Sequence, residues 1–393
     1  MSRPSVIVIG AGAAGLNAAV QLAELGCTGV TVLERAHVAA GSTSLSAGVY
    51  NINGTDPLTV ALRVAARDLL DQYEREHDLP LARNGHLRLA RQPHHVKMFE
   101  QTVAQHHELG VADPSRLLTP EEISLLAPEV VVDDVLAGLY NPRDGHLDGP
   151  ILCGVLADRA RAAGVKIIQK SPVIDADRQG AQHRVRTPDA SYVADVVINA
   201  AGPWAGRVGE MLGAPLPIVN QVHDVVLVKL PAPRATPLPM IQEYNPGDDA
   251  AIYFRQERPD ELLGGEHTYV ILDNLEVVDP DDYRKTVPWE VWESVAERIS
   301  ARLRQDDLGF KPGWTGLYPL SADNEFIVGP YPDDPTIVAF GGMGGAGVNS
   351  GLGLGRSVAE WIIDGEPRTL AGFGVERMLP GRPSLADPKA VSG

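Results

Sequence analysis

The segment Val6-Ile-Val-Ile-Gly-Ala-Gly-Ala-Ala-Gly15, with its continuation to Glu34, decides the fold of this chain. A short β-branched run ends in glycines, and apolar residues at helical spacing follow before a stop at Gly26. A second β-branched run, residues 30–33, leads directly into Glu34. The order strand, tight turn, helix and strand predicts a βαβ unit with parallel strands.

The glycines of this unit fit the pattern G-x-G-x-x-G at Gly10, Gly12 and Gly15. The first permits the turn, the second lets the backbone approach a pyrophosphate, and the third packs the helix against the strand. Glu34 follows Gly15 at a distance of about twenty residues, where a carboxylate can accept the ribose hydroxyls of an ADP moiety. The unit therefore predicts a cofactor that contains ADP, and it suits NAD as well as FAD.

Length, charge and cysteine content limit the class of protein. The chain has 393 residues, which indicates about two domains. Its 34 basic and 51 acidic residues give a formal charge of −17, which repels nucleic acid and anionic membrane surfaces. Two cysteines are too few for a disulfide framework or a cysteine-rich metal site, so we expect a cytoplasmic protein without a metal. The early strand leaves no room for a secretory leader and no apolar run has membrane-spanning length, so we expect no membrane insertion.

Three further landmarks follow along the chain. Residues 41–48, Gly-Ser-Thr-Ser-Leu-Ser-Ala-Gly, offer hydroxyls and backbone amides soon after the second strand. Residues 199–204, Asn-Ala-Ala-Gly-Pro-Trp, form a small-residue turn after a strand-like run, and the segment 313–355 holds a glycine-rich stretch, 341–347, ahead of a helix. In this order, and together with the N-terminal unit, the motifs resemble the D-amino-acid oxidase superfamily of flavoproteins, which includes glycine oxidase, sarcosine oxidase and the dimethylglycine dehydrogenases.

The resemblance covers the whole chain and implies an α/β fold, with an α+β substrate part. A Rossmann-like FAD-binding domain would carry an inserted antiparallel-sheet substrate domain. By this analogy the FAD-binding domain takes residues 1–85, 145–215 and 320–393, and the substrate domain takes residues 86–144 and 216–319. A small-molecule amine or amino acid would bind between them, at the face of the flavin.

The resemblance also assigns residues to the cofactor. The helix after the glycine-rich stretch would direct its N-terminal amides at a flavin carbonyl and stabilise the charge that builds there on reduction. The residues expected to contact FAD are Gly10, Gly12, Ala14, Gly15, Glu34, Arg35, Ser42, Thr43, Ser44, Ala47, Gly48, Val173, Ala201, Gly202, Trp204, Gly342, Met343, Gly344, Gly345, Gly347, Val348 and Asn349.

The substrate half departs from the family pattern. Many members that take amino acids carry Arg in a Gly-Leu-Arg-Pro stretch, where this chain has Tyr318, and others use a Lys where it has Asn349. Either another cation binds a substrate carboxylate, or the substrate lacks a carboxylate at the usual place. Arg255 is the best candidate for such a cation, and Tyr253 shares its face of a predicted strand. A solvated pair between Arg255 and Glu257 is an equally good interpretation.

Other polar residues are weaker candidates. Tyr50 and Asn51 follow residues 41–48 closely and are candidates for the catalytic site, although a structural role explains them as well. His223 lies in a strand-like stretch, where we expect a structural role more than one near the substrate. A solvated polar helix without metal-binding spacing is predicted to carry four histidines, His94, His95, His106 and His107.

Three functional hypotheses follow. The resemblance predicts FAD-dependent oxidation of a carbon–nitrogen bond in an amine or amino acid, secondary and N-methylated ones included, by hydride transfer to flavin N5 with an imine product. An FAD-dependent dehydrogenase of a 2-hydroxy acid or another C–OH substrate is an alternative, which the tyrosine at position 318 makes less remote. A non-catalytic flavin-binding subunit is the third, although the intact flavin-facing motifs argue against it.

We predict that FAD is bound noncovalently. Family members that attach it through His place that residue within the run matched by residues 41–48, where this chain has Leu45. Those that use Cys place it near residues 318–321, where this chain has none. Acid precipitation should therefore release the yellow chromophore into the supernatant, and colour that stays with the precipitate would refute the prediction.

Overall fold

The structure is a computed structural model that describes residues 3–54, 56–244, 251–267, 278–321, 323–365 and 373–375. In these residues the strands are, in chain order, β1 (Val6–Ile9), β2 (Val30–Leu33), β3 (Val49–Tyr50), β4 (Leu81–Ala82), β5 (His86–Ala90), β6 (Arg116–Leu118), β7 (Ala137–Asn141), β8 (Gly145–Leu147), β9 (Lys166–Ile168), β10 (Asp175–Gln179), β11 (Gln182–Arg186), β12 (Ser191–Ala194), β13 (Val196–Asn199), β14 (Val219–Lys229), β15 (Met240–Glu243), β16 (Ala251–Arg258), β17 (Glu261–His267), β18 (Gly309–Leu320), β19 (Ile327–Tyr331) and β20 (Asp334–Gly341). The helices are α1 (Ala13–Glu24), α2 (Ser42–Leu45), α3 (Pro57–His77), α4 (Pro93–Glu108), α5 (Pro120–Leu126), α6 (Gly149–Ala162), α7 (Ala205–Met211), α8 (Trp289–Leu303) and α9 (Gly347–Asp364). Within the described ranges, no helix is both long and apolar enough to cross a membrane.

The predicted βαβ unit lies within a six-stranded sheet with the order β19-β20-β13-β1-β2-β9. Strand β1 pairs in parallel with β2 and with β13, whereas β19 runs antiparallel to β20 at one edge. Every residue of β1 is buried, so both faces of the sheet must be covered. Helices α1, α3, α6 and α9 cover one face and the sheet β10-β11-β12 covers the other. This arrangement confirms the predicted Rossmann-like architecture.

A second large sheet has the order β18-β14-β17-β16-β15-β5-β7-β6, and helix α8 packs on it. Its strands are antiparallel neighbours except for β15 and β5, which pair in parallel. The predicted antiparallel sheet therefore contains one parallel pair, because β15 returns to the sheet from a distant part of the chain. Its strands come from residues 86–141 and 219–320. The division into two domains stays a proposal, and its last range extends beyond residue 375, outside the described residues.

Helix α4 carries the four histidines, and the prediction of a solvated helix face is wrong for two of them. The His106 ring is fully buried between the Ile52 carbonyl oxygen, 3.1 Å from Nε2, and the Ser115 amide, which donates to Nδ1 at 3.1 Å. The His95 ring is buried against Tyr244, with 4.8 Å between the ring centroids. Since α4 packs on α3, β5 and β7, polar side chains on these faces are buried.

Glycines on helix α9 allow it to pack closely on α1 and α3. A Cβ at Gly351 would lie 3.1 Å from α1, and one at Gly355 would lie 2.1 Å from Nδ2 of Asn17. On the other side, a Cβ at Gly353 would lie 2.2 Å from a backbone oxygen of α3. The Asn17 amide also donates to the Leu352 carbonyl at 2.7 Å. Because early residues of α1 meet early residues of α9, the two helix N-termini lie side by side.

We expect Gly353→Ala to lower the free energy of unfolding by about 2 kcal/mol or more, because the added methyl group overlaps the α3 backbone. Gly154→Ala, in α6, is the matched control: its Cβ would meet nothing within 4 Å, so it should raise stability by about 0.5–1 kcal/mol through helix propensity. Urea denaturation of both variants measures the difference. Equal effects would contradict the close α3–α9 contact.

Candidate functional site

A cavity of about 870 Å³ lies where the two large sheets meet. Its lining includes the carboxyl ends of β1, β2 and β13, together with residues of β14, β15, β16 and β18. Open α/β sheets bind ligands at the carboxyl ends of their strands, and the volume suits a cofactor-sized ligand.

The turn after β1 shapes one part of this cavity. Gly10 has a φ of 111°, and a Cβ there would lie 2.4 Å from the Ala200 oxygen, so only glycine fits. The N-cap residue of helix α1 supplies no side-chain cap, and the first turn holds no acidic residue. The Ala13 amide donates to Thr43 Oγ1 at 3.2 Å, and the next amides are left for an anion. The Glu34 carboxylate is fixed beside it by the backbone amides of Ala11, at 2.9 Å, and Ala36, at 2.8 Å. This geometry suits a pyrophosphate and its ribose.

A charged cluster lies next to Glu34 in the lining. The Arg35 guanidinium stacks 4.5 Å from the Trp204 ring centroid. Asp281 accepts hydrogen bonds from Arg35 at 2.9 Å, from the Trp204 indole at 3.0 Å and from Arg207 at 2.7 Å. Arg35 and Trp204 were predicted to bind the cofactor, whereas no sequence motif marks Asp281.

The predicted flavin-facing run, residues 41–48, is held by the eight-stranded sheet. The Ser42 hydroxyl donates to the Leu317 carbonyl at 2.8 Å, and the Trp314 indole donates to the Leu45 carbonyl at 2.9 Å. The Arg255 guanidinium donates to the Ala47 carbonyl at 2.8 Å. These three contacts fix the run between the cavity and the second sheet.

The glycine-rich stretch and the start of α9 form the opposite wall. Helix α9 begins without a side-chain cap and without an acidic residue in its first turn, so its amides can stabilise negative charge on a ligand. A Cβ at Gly345 would lie 2.5 Å from the Tyr318 ring, so the glycine lets that ring pack on the turn. Asn349 lines the cavity, but its amide donates to the Asn51 carbonyl at 2.9 Å. The position therefore has a structural contact where some family members have a Lys.

Uncharged polar groups from the eight-stranded sheet line the part of the cavity next to this wall. The Tyr318 ring stacks on His223 with 3.6 Å between centroids and 19° between planes. Burial raises the pKa of Tyr318 to about 12, and it raises the pKa of Tyr253 as well, so both hydroxyls stay protonated at neutral pH. Burial lowers the pKa of His86 well below its usual range, which keeps that imidazole neutral. His223 thus lies in the cavity wall, whereas a structural role was the main expectation for it.

The structure brings most of the predicted site residues into one lining. Those that line the cavity are Gly10, Gly12, Ala14, Glu34, Arg35, Ser42, Thr43, Ala47, Val173, Ala201, Gly202, Trp204, Tyr253, Tyr318, Met343, Gly344, Gly345, Gly347, Val348 and Asn349. Their contacts with a bound cofactor stay a prediction. The predicted residues outside the lining are Gly15, Ser44, Gly48, Tyr50, Arg255 and Gly342.

Four of these outlying residues shape the backbone behind the cavity. A Cβ at Gly15 would lie 2.1 Å from a backbone oxygen of the first turn, so this glycine packs helix against strand. Gly48 and Gly342 have φ values of 68° and 67°, which place them in the left-handed region that turns require. The Ser44 hydroxyl donates to the Gly41 carbonyl at 3.1 Å within the run. Their role is to hold the neighbouring lining residues in place.

Arg255, the predicted substrate anchor, lies outside the cavity lining. Its guanidinium is buried, and besides the Ala47 carbonyl it contacts the Glu257 carboxylate at 2.5 Å. Both partners are protein groups. Tyr253 shares its strand face, as predicted, and does line the cavity. The side chain of Tyr50 is buried and also lies outside the lining, which favours the structural role for it.

Sequence reasoning missed four cavity cations: Arg207 and Lys285, and also Arg63 of α3 and Arg88 of β5, which lie close together. His86 lines the cavity from the same face of β5, because residues two apart share a face of a strand. The alternation His86, Leu87, Arg88 was a signal in the sequence. It is typical of a strand with one solvated face, and only the sheet packing shows that this face is buried.

Asp144 lies behind these cations and is fully buried. Its carboxylate accepts hydrogen bonds from the Ile52 amide and the Asn53 side-chain amide, both at 3.3 Å. Burial raises the pKa of Asp144 to about 7, although Arg67 and Arg88 act in the opposite direction. The carboxyl group therefore titrates near neutral pH.

A protein-family model and several proteins are similar to this chain. A family model described as "FAD dependent oxidoreductase", DAO, matches residues 5–361. Sarcosine dehydrogenase, mitochondrial, from Homo sapiens is 28% identical over 388 residues, which cover 96% of this chain and 41% of that protein. Dimethylglycine dehydrogenase, mitochondrial, from Rattus norvegicus is 29% identical over 383 residues, which cover 93% of this chain and 43% of that protein. The chain thus spans less than half the length of these relatives.

Solved structures share the fold over nearly the whole chain. L-proline dehydrogenase from P. horikoshii superposes with a TM-score of 0.83 at 24% identity, over 94% of this chain and 95% of that chain. Glycine oxidase from Geobacillus kaustophilus superposes with a TM-score of 0.79 at 20% identity, over 96% and 100%. These two likenesses concern the fold.

We expect Asp144→Asn to gain stability relative to the unsubstituted protein as pH rises from about 4 to about 7. The folded protein holds the Asp144 proton more tightly than the unfolded chain does, so the linked stabilisation is complete below the ordinary pKa of 3.8 and is lost as pH rises through about 7. The gain should reach a few kcal/mol, measured by urea denaturation across this range. Asp158→Asn, at an exposed position, should show no such trend. A pH-independent difference for Asp144→Asn would contradict the raised pKa.

Proposed function

Because the chain belongs to the DAO family of FAD-dependent oxidoreductases, we propose that it oxidises a carbon–nitrogen single bond of an amine or amino acid. FAD is the cofactor, and when bound it supplies the acceptor for a hydride from the substrate carbon at flavin N5. The nitrogen lone pair becomes the second bond of an iminium ion, and a primary or secondary amine then releases its N–H proton to give the imine. Water is the further reactant, and it hydrolyses the product to a carbonyl compound and an amine.

The observation that carries this proposal is the continuity of the cavity. One lining joins the start of α1, the uncapped start of α9 and the neutral polar groups of the second sheet. The first suits the pyrophosphate and the second suits the charge that builds on a flavin when it is reduced. The neutral polar groups of the second sheet border space for a small substrate beside the reacting ring.

The groups that line the substrate end suit an amine that reacts in its uncharged form. Tyr253 and Tyr318 keep their protons, and His86 is neutral, because burial disfavours the charged form of each. Hydroxyl and imidazole groups can hydrogen-bond an amine without holding it as an ammonium ion. An amine must present its lone pair for the imine to form, so neutral partners favour the reaction.

The relatives support a secondary or N-methylated amine in particular. The two curated relatives are named for sarcosine and dimethylglycine, both N-methylated, and L-proline dehydrogenase is named for a secondary amine. The same substrate class for this chain is a proposal, since the chain spans less than half of the two curated relatives.

Anaerobic mixing with a substrate panel tests the proposal. The FAD-loaded protein is mixed with sarcosine, dimethylglycine, proline and glycine, and separately with 2-hydroxy acids of matched size. Loss of the visible flavin absorbance with the amines alone is the expected result. Bleaching with hydroxy acids alone would favour oxidation of a C–OH bond, and no bleaching with either set would favour a non-catalytic flavin-binding subunit.

A further inference from the structure

Two arginines converge on one neutral oxygen in the cavity wall. Arg63 Nη1 donates to Asn51 Oδ1 at 3.2 Å, and Arg88 Nη2 donates to the same oxygen at 3.5 Å. Arg63, Arg88 and Asn51 all line the cavity, and Arg88 is only 5% exposed. An amide oxygen carries a partial charge, so it cannot neutralise two guanidinium groups.

Nearby carboxylates balance the two charges only in part. Among the described residues, neither Arg63 nor Arg88 has a carboxylate within 4.0 Å. Asp56 and Asp144 act on Arg63 from farther away, but Asp56 is exposed to solvent and the raised pKa of buried Asp144 leaves it partly protonated at neutral pH. Burial, followed by repulsion from Arg88, lowers the pKa of Arg63 to about 10. Buried cations without a full counter-charge are costly, so the arrangement favours an anion from outside.

One guanidinium donor of Arg88 has no partner in the part of the chain that the structure describes, which points to the same conclusion. Arg88 Nη1 contacts the Tyr244 hydroxyl at 3.3 Å, whereas its buried Nε makes no hydrogen bond to the described residues. Two guanidinium forks near one cavity wall suit a planar anion with two oxygens.

We propose that Arg63 and Arg88, held by Asn51, bind the carboxylate of the substrate, so that the substrate is an amino acid rather than a simple amine. This inference rests on the proposed function for the reaction, while its carboxylate site is testable without turnover. It assigns the anchor role to α3 and β5, since Tyr318 and Asn349 carry no charge and Arg255 contacts protein groups.

Acetate tests the site apart from catalysis. Titration of the FAD-loaded protein with acetate, followed by the change in the flavin spectrum, should show saturable binding, and acetamide should bind far more weakly. Arg63→Gln and Arg88→Gln should each weaken acetate about ten- to a hundredfold, the loss of a charge-assisted pair. Arg75→Gln, at an exposed position of the same helix as Arg63, is the matched control and should leave the acetate affinity unchanged. Unchanged acetate affinity in both site variants would overturn the proposal.

A near-isosteric variant covers the case in which the arginine variants fail to fold. Asn51→Asp keeps the acceptor oxygen and adds a carboxylate at the point where Arg63 and Arg88 converge. It should abolish acetate binding and raise the midpoint of urea denaturation, because the internal carboxylate occupies the site. Acetate binding as strong as in the unsubstituted protein would count against the anchor.

Steady-state kinetics separate the two proposals. With an amino acid that reduces the flavin, Arg88→Gln should raise KM more than it lowers kcat, and Arg88→Lys should restore part of the loss. The methyl ester of the same amino acid lacks the carboxylate, so in the unsubstituted protein its KM should exceed that of the acid. The substitution should leave the KM of the ester unchanged. Arginine-dependent acetate binding without reduction by any amine would refute the proposed function and leave the carboxylate site standing. Amine oxidation with arginine-independent acetate binding would refute the carboxylate site and leave the proposed function standing.

Discussion

The close contact between α1 and α9 is the constraint on which the rest of the site depends. Four glycines in the 18 residues of α9 weaken the helix by itself, at roughly 1 kcal/mol each. They let α9 approach until Gly351 and Gly355 touch α1, and Asn17 ties the two backbones together. As a result the N-termini of both helices open into the same cavity, where we propose that one binds a pyrophosphate and the other a reduced ring.

The second sheet fixes the other boundary of that cavity. Residues 41–48 are proposed to belong to the FAD-binding domain, yet Trp314 and Arg255 of the second sheet donate hydrogen bonds to two of their carbonyl oxygens. Arg255 therefore helps to position residues 41–48, the run proposed to face the flavin. Because Tyr253 and Tyr318 belong to the same sheet, the contacts that set the position of the flavin-facing run also set its distance from the substrate wall.

Electrostatics divides the substrate end into two parts. Buried tyrosines and a neutral imidazole form a wall without charge, which suits an amine that reacts through its lone pair. Arg63 and Arg88 form a cationic corner whose charge is only partly compensated by Asp56 and Asp144. Burial produces both effects, since it keeps weak acids protonated and makes an unpaired cation bind any available anion more strongly.

The sequence by itself determined the βαβ unit, the left-handed turn at Gly10 and the place of Glu34 at the end of β2, because these depend on steric and hydrogen-bonding rules that act over a few residues. It also determined that Tyr253 and Arg255 share a strand face. Only the tertiary structure decided what the arginine side chains contact. Arg255 donates to a backbone carbonyl, whereas Arg63 of α3 and Arg88 of β5 donate to the same side-chain oxygen. Strand register and helix packing set these contacts, and the residues that fix them lie far apart in the chain.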